Sequence, residues 1–119
     1  MEEIIQKEDL RLLVELGFAA CMAGQISDAR NIFQALRQYD ASTEAVQLGL
    51  ALTYLVTDEF EKGDEILNAL SDGSDVLGFK VLSKALQRKT DEAKSLYESI
   101  ADKDAVSAKM AKAVLEARQ

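Results

Sequence analysis

The stretch from Leu13 to Leu36 constrains the fold of this chain most, because its spacing is that of two short helices packed antiparallel. Gly24 divides two apolar runs and predicts a tight turn between them. Gly17 in the first run predicts a close approach of the second helix, and Ala29 supplies a small side chain where the two helices cross. The stretch therefore predicts a helical hairpin.

The pattern of this hairpin recurs 34 residues further along the chain. Small residues align with small ones and large apolar residues with large ones: Gly17 with Ala51, Ala29 with Gly63, Phe33 with Leu67 and Leu36 with Leu70. A shorter third copy follows from about Val76 to Ile100, in which Ala93 lies 30 residues after Gly63. A period of this length is typical of helical repeats that stack into a solenoid.

We therefore expect an all-α fold in a single domain over residues 1–119. It would contain three helix-turn-helix repeats at about 10–40, 44–73 and 75–101, and a capping helix at about 104–117. The expected helices are Asp9–Ala23, one capped at or just before Ser27 that ends near Gln38, Thr43–Val56, Asp58–Leu70, Asp75–Arg88, one capped by Thr90, and Asp104–Ala117, with Tyr39–Ser42 as a turn between repeats. In the last helix, the side expected to close the stack carries Val106, Met110, Ala113 and Val114.

These repeats, with their small residues and turn glycine, resemble the tetratricopeptide family over roughly residues 10–100. In that family the first helix of each repeat lines a concave surface. The resemblance implies a groove that includes Arg11 and Ala45 and whose apolar, partner-binding side chains are Val14, Phe18, Cys21, Met22, Leu48, Leu52, Leu55, Val56, Phe79 and Leu86. An apolar groove of this kind suits an amphipathic helix with anchors at i, i+3, i+4 and i+7.

The charge distribution argues against nucleic acid and membrane partners. The net charge is −7, divided as −3 over residues 1–40, −6 over 41–73 and +2 over 74–119. Binding to phosphates needs clustered Lys and Arg, which this balance does not favour. The acidic N-terminus lacks the basic start of a signal peptide, no apolar run is long enough to span a bilayer, and the single cysteine suits a reducing compartment, so we expect a cytoplasmic protein.

The residue types also argue against catalysis. The chain has no histidine and one cysteine, Cys21, whose neighbours carry no charge that would lower its pKa. No phosphate-binding loop or paired-carboxylate motif stands out, and the acids from Asp58 to Glu65 are expected at the solvated start of a helix. We expect neither an enzyme nor a bound metal or cofactor.

A small, acidic chain of three such repeats resembles the bacterial type III secretion chaperones built on tetratricopeptide repeats, particularly those that hold the needle-forming subunit. The resemblance implies a chaperone whose groove binds an amphipathic helix of a small secretion subunit and prevents its premature self-association. It also implies a small helical co-chaperone packed on the first repeat.

Two alternatives remain open. One is a general tetratricopeptide scaffold that recruits a partner peptide. The other is that the apolar groove is filled by the chain's own termini or by a second copy in a homodimer, since exposed apolar area often marks an interface. If the groove binds a foreign helix, we expect Phe18→Glu and Leu52→Glu to abolish binding and leave helicity intact.

Overall fold

The computed structural model of this protein describes residues 7–39 and 43–117. This part of the chain contains seven α-helices and no β-strand, which confirms the all-α prediction. The helices are α1 (Lys7–Met22), α2 (Ile26–Tyr39), α3 (Glu44–Leu55), α4 (Phe60–Asn68), α5 (Ser74–Leu86), α6 (Thr90–Glu98) and α7 (Val106–Ala117). Most of the predicted turn at Tyr39–Ser42 lies outside the described residues. The chain divides into two compact units, Met1–Thr53 and Tyr54–Gln119.

The same turn follows α1, α3 and α5. In each turn one residue has a left-handed backbone: Gly24 (φ 83°), Asp58 (φ 62°) and Arg88 (φ 64°). The amide of the next residue donates to the carbonyl five positions earlier: Gln25 to Ala20 at 2.8 Å, Glu59 to Tyr54 at 2.8 Å and Lys89 to Lys84 at 2.9 Å. A Schellman motif at the end of a helix has two backbone hydrogen bonds, and this one joins the residues further apart in sequence. Together the two bonds satisfy the last carbonyl groups of the helix. The left-handed residues are separated by 34 and 30 positions, the two spacings found in the sequence.

Several predicted helix starts are wrong by one or two residues, among them those of α1 and α7, which begin at Lys7 and Val106 where Asp9 and Asp104 were expected. Ser27 lies inside α2, which begins at Ile26. Asp58 lies in the left-handed turn before α4, which begins at Phe60. Thr90 is the first residue of α6 and does not cap it, because the N-cap position belongs to Lys89, which makes no side-chain capping bond. The residues just before α4 and α6 belong to the left-handed turns that end α3 and α5, so the two helices cannot begin earlier.

In the first unit, α1, α2 and α3 pack around the ring of Phe33, which is fully buried. A Cβ atom on Gly17 of α1 would lie 2.6 Å from this ring, and one on Gly49 of α3 would also overlap it. Phe18 meets the ring edge-on, with 5.1 Å between ring centroids. The predicted close approach at Gly17 is thus confirmed, and Gly49 is a second such position that the repeat pattern did not single out.

One polar side chain of the first unit ties α2 to α3. Arg30 of α2 donates from Nε to the hydroxyl of Thr53 at 3.2 Å and from Nη2 to the Thr53 carbonyl at 2.8 Å. Thr53 is fully buried, and its hydroxyl in turn donates to the carbonyl of Leu50. Burying these polar groups is tolerable because each has a partner.

In the second unit, α5 packs against α4, α6 and α7, and α6 also contacts α7. The core between α5, α6 and α7 consists largely of small apolar side chains: Val81, Ala85, Ala93, Ile100, Ala108, Ala111 and Leu115. Asp64 of α4 accepts hydrogen bonds from Ser83 and Gln87 of α5. Asp64 lies 34 residues after Arg30, and Ser83 lies 30 residues after Thr53. The hydrogen bond between α4 and α5 therefore joins the positions that correspond to the α2–α3 bond, with a carboxylate in place of the guanidinium.

The packed side of α7 is only in part the predicted one, since Val114 of the four expected residues packs against the core. Ser107, Ala108, Ala111 and Leu115 are buried, whereas Val106 is 82% exposed, Ala113 is exposed and Met110 is half-buried. Gly78 of α5 explains the choice, because a Cβ atom there would lie 3.0 Å from the backbone and side chain of Ser107. Small residues on both helices let them approach closely, and this close contact sets which side of α7 faces inward.

Candidate partner-binding groove

The ten predicted partner-binding side chains divide into three groups by exposure. Five are core residues with at most 6% of their surface exposed: Cys21, Leu48, Leu52, Leu55 and Phe79. Val14, Phe18 and Leu86 are half-buried. Met22 and Val56 are exposed, by 64% and 44%. A partner meeting the protein in this state can touch only the last two groups.

The burial of α3 explains why so many predicted lining residues lie in the core. Every residue from Val46 to Thr53 is buried, so this helix is enclosed on all its sides over two turns. A charged side chain at Leu52 would be removed from water without a partner, at a cost of several kcal/mol. We therefore expect Leu52→Glu to reduce helicity along with binding, which corrects the expectation that helicity would stay intact.

The first unit has an open groove between α1 and the start of α3. Its volume is about 480 Å³. Its lining residues are Glu8, Leu10, Arg11, Val14, Glu15, Thr43 and Ala45. Of these, Arg11, Val14 and Ala45 were expected on the concave side from the family register. Leu10, which was missed, could have been found from its position one turn before Val14.

The groove combines an apolar base with charged edges. Leu10 and Val14 are half-buried side chains on the same side of α1, and Ala45 is exposed in the first turn of α3. Glu8, Arg11 and Glu15 line the same depression and are exposed. A volume of this size accommodates a few apolar side chains, and the two carboxylates would favour a partner segment with flanking Lys or Arg.

Cys21 lies one helical turn beyond Phe18 on α1 and is 6% exposed. Burial raises the pKa of its thiol, and the positive charge of Arg30 opposes this shift only in part. A thiol kept neutral in this way is a poor nucleophile and a poor metal ligand. Within the described residues, no group of His, Cys, Asp or Glu is arranged to hold a metal ion.

The second unit has a different depression, of about 390 Å³, with polar walls. It is lined by Asp64, Asn68, Lys80, Lys84, Glu92, Ser95 and Leu96. Lys84 Nζ lies 4.0 Å from a carboxylate oxygen of Asp64 and 3.8 Å from one of Glu92, and Lys80 Nζ lies 2.7 Å from one of Asp72. Its lysines therefore already have carboxylate partners within the protein.

Comparisons with protein-family models, with curated proteins and with solved structures found no match to this chain. Among the described residues, no helix combines the length and apolar character needed to cross a membrane.

Proposed function

We propose that this protein is a tetratricopeptide-like binding protein whose first unit holds the apolar side of a partner's helix in the groove of Leu10, Val14 and Ala45. The repeat assignment is supported by the three matching turns, at Gly24, Asp58 and Arg88. It is also supported by helix ties at corresponding positions of α2 and α4.

The observation that carries the proposal is the shape and chemistry of the groove. It is open to solvent, its base is apolar, and two half-buried side chains one turn apart face into it. An amphipathic helix presents anchors with the same one-turn spacing, so its apolar stripe can pair with Leu10 and Val14. Binding, and not catalysis, is what such a surface can do.

The identity of the partner is proposed from the resemblance to the secretion chaperones. The partner would be a small helical secretion subunit of the needle type, and the protein would act by masking the surface through which that subunit self-associates. A helical co-chaperone on the first repeat belongs to the same proposal. The alternative is a general adaptor that recruits a peptide through the same groove.

The substitution Ala45→Glu tests the groove. Ala45 is exposed in the first turn of α3, where an acidic residue is favourable for the helix, so the fold should be retained while a charge enters the apolar base. Tagged wild type, Ala45→Glu and the control Gln34→Glu, an exposed position of α2, are purified from the native host and their companions identified by mass spectrometry.

We expect wild type and Gln34→Glu to recover equal amounts of a small helical protein. The amount recovered with Ala45→Glu should be at least about tenfold lower, because binding would bury an unpaired charge. Circular dichroism should show equal helicity for the three proteins. Equal recovery of the companion with Ala45→Glu would contradict the groove assignment. Export of the companion, tested after deletion of this protein, separates a chaperone from a general adaptor.

A further inference from the structure

Helix α1 carries an apolar stripe that is separate from the groove. Leu12 and Leu16 are 56% and 51% exposed, and the same line continues through the exposed Ala19 to Ala23, which directly follows the helix. The spacing of four, three and four residues places these side chains on one side of a helix. The acids Glu8, Asp9 and Glu15 flank this stripe and are exposed.

Helix α7 carries a second apolar stripe, at the other end of the chain. Val106, Met110, Ala113 and Ala117 share the side that faces away from α5, with the same four, three and four spacing. Lys109 and Lys112 lie beside it, followed by Glu116 one turn later. The last helix of a repeat stack usually has a polar outer side, and in α7 this apolar stripe runs beside the charged residues of that side.

We propose that the α1 stripe of one copy packs against the α7 stripe of a second copy. Two features of the stripes favour this contact. Each stripe has two large and two small side chains, so the leucines of α1 can lie against Ala113 and Ala117 of α7. The α1 stripe is flanked by acids and the α7 stripe by lysines, and residues 1–40 carry −3 while residues 74–119 carry +2.

Pairing unlike stripes is favoured over pairing like ones. Two α1 stripes would bring Glu8, Asp9 and Glu15 of both copies together, and like charges at an interface oppose association. Contact between unlike surfaces leaves one of each free on the resulting dimer, so association continues head to tail. A single helix pair lies below the roughly 1,200–2,000 Å² of a stable interface, so the association should depend on protein concentration.

Sedimentation velocity of the full chain over a range of concentrations tests this. Leu16→Glu removes the α1 surface and Ala113→Glu the α7 surface; both positions are exposed, and circular dichroism verifies that each variant keeps its helices. The wild type should form species larger than a dimer as concentration rises. Each variant alone should be monomeric, and an equimolar mixture of the two should form a dimer and nothing larger.

The mixture is decisive, because Leu16→Glu still supplies an α7 stripe and Ala113→Glu an α1 stripe. A monomeric wild type at the highest soluble concentration would overturn the proposal. So would an Ala113→Glu variant that associates as the wild type does, which would mean α1 pairs with α1, or a mixture that stays monomeric. Ala45→Glu should associate like the wild type, so this result is independent of the groove.

Discussion

At the level of single residues, the three hairpin turns show how one backbone requirement is met by different side chains. Gly24 adopts its left-handed conformation without steric cost, whereas Asp58 and Arg88 adopt it with a Cβ atom. Asp tolerates this region better than Arg, because its short polar side chain can bond locally. Arg88 is therefore the strained member of the three.

We expect Arg88→Gly to stabilise the protein by about 0.5–1 kcal/mol, which is the relief of left-handed strain less the added entropy of the unfolded chain. Gly24→Ala should destabilise it by a similar amount, since a Cβ atom at Gly24 meets no neighbour within 4 Å and only the backbone is strained. Urea unfolding measures both. A destabilising Arg88→Gly would contradict the turn assignment.

Cys21 contributes a pH dependence whose sign follows from burial. Because burial raises the pKa of the thiol above its ordinary value of 9.0, the unfolded chain ionises first as pH rises. The stabilising effect of the neutral thiol is complete below pH 9 and is lost above it. The stability difference between wild type and Cys21→Ala should therefore shrink between pH 7 and pH 10 in urea unfolding; a constant or growing difference would contradict this.

At the level of helices, the hairpin of α1 and α2 follows most directly from the sequence. Gly17 and the turn at Gly24 have the expected roles in close packing and backbone geometry, and Ala29 is fully buried. Requirements of this kind can be recognised in a single sequence, because few residue types satisfy them. The repetition of this pattern 34 residues later then predicts the order of the helices that follow.

Periodicity could not separate core from groove in α3. Its twelve residues contain one charged side chain, Glu44, so apolar residues occur all round the helix and any side could have been the lining. The same ambiguity affects α7, which has one apolar line through Val106 and Met110 and another through Ala111 and Leu115. Only the contact with Gly78 of α5 decides which line is buried.

The packing of α7 is tested by Leu115→Ala with Val106→Ala as the matched control. Leu115 is 5% exposed in the core of the second unit, so its truncation should cost about 2–4 kcal/mol through lost burial and a residual cavity. The exposed Val106 should change stability by less than about 0.5 kcal/mol at low protein concentration. Equal losses for the two variants would mean that the other side of α7 faces the core.

For the molecule as a whole, the two units differ in what their surfaces can bind. The first has an open apolar groove, whereas the depression between α4, α5 and α6 of the second is lined mostly by polar and charged residues, several of which pair with one another. Five of the ten predicted binding residues serve to hold the fold together. Of the side chains predicted on the concave side of α1, Arg11 and Val14 line the depression, whereas Phe18, Cys21 and Met22 do not.

Hydrogen exchange of the purified protein, free and with its companion bound, shows whether the groove of the first unit holds the partner helix. We expect slower exchange on binding for residues 8–15 of α1 and 43–45 at the start of α3, the two segments that line the groove. Residues 106–117 of α7 should exchange at the same rate in both states. Protection confined to the second unit, or no change in residues 8–15, would contradict the proposal that the groove holds the partner helix.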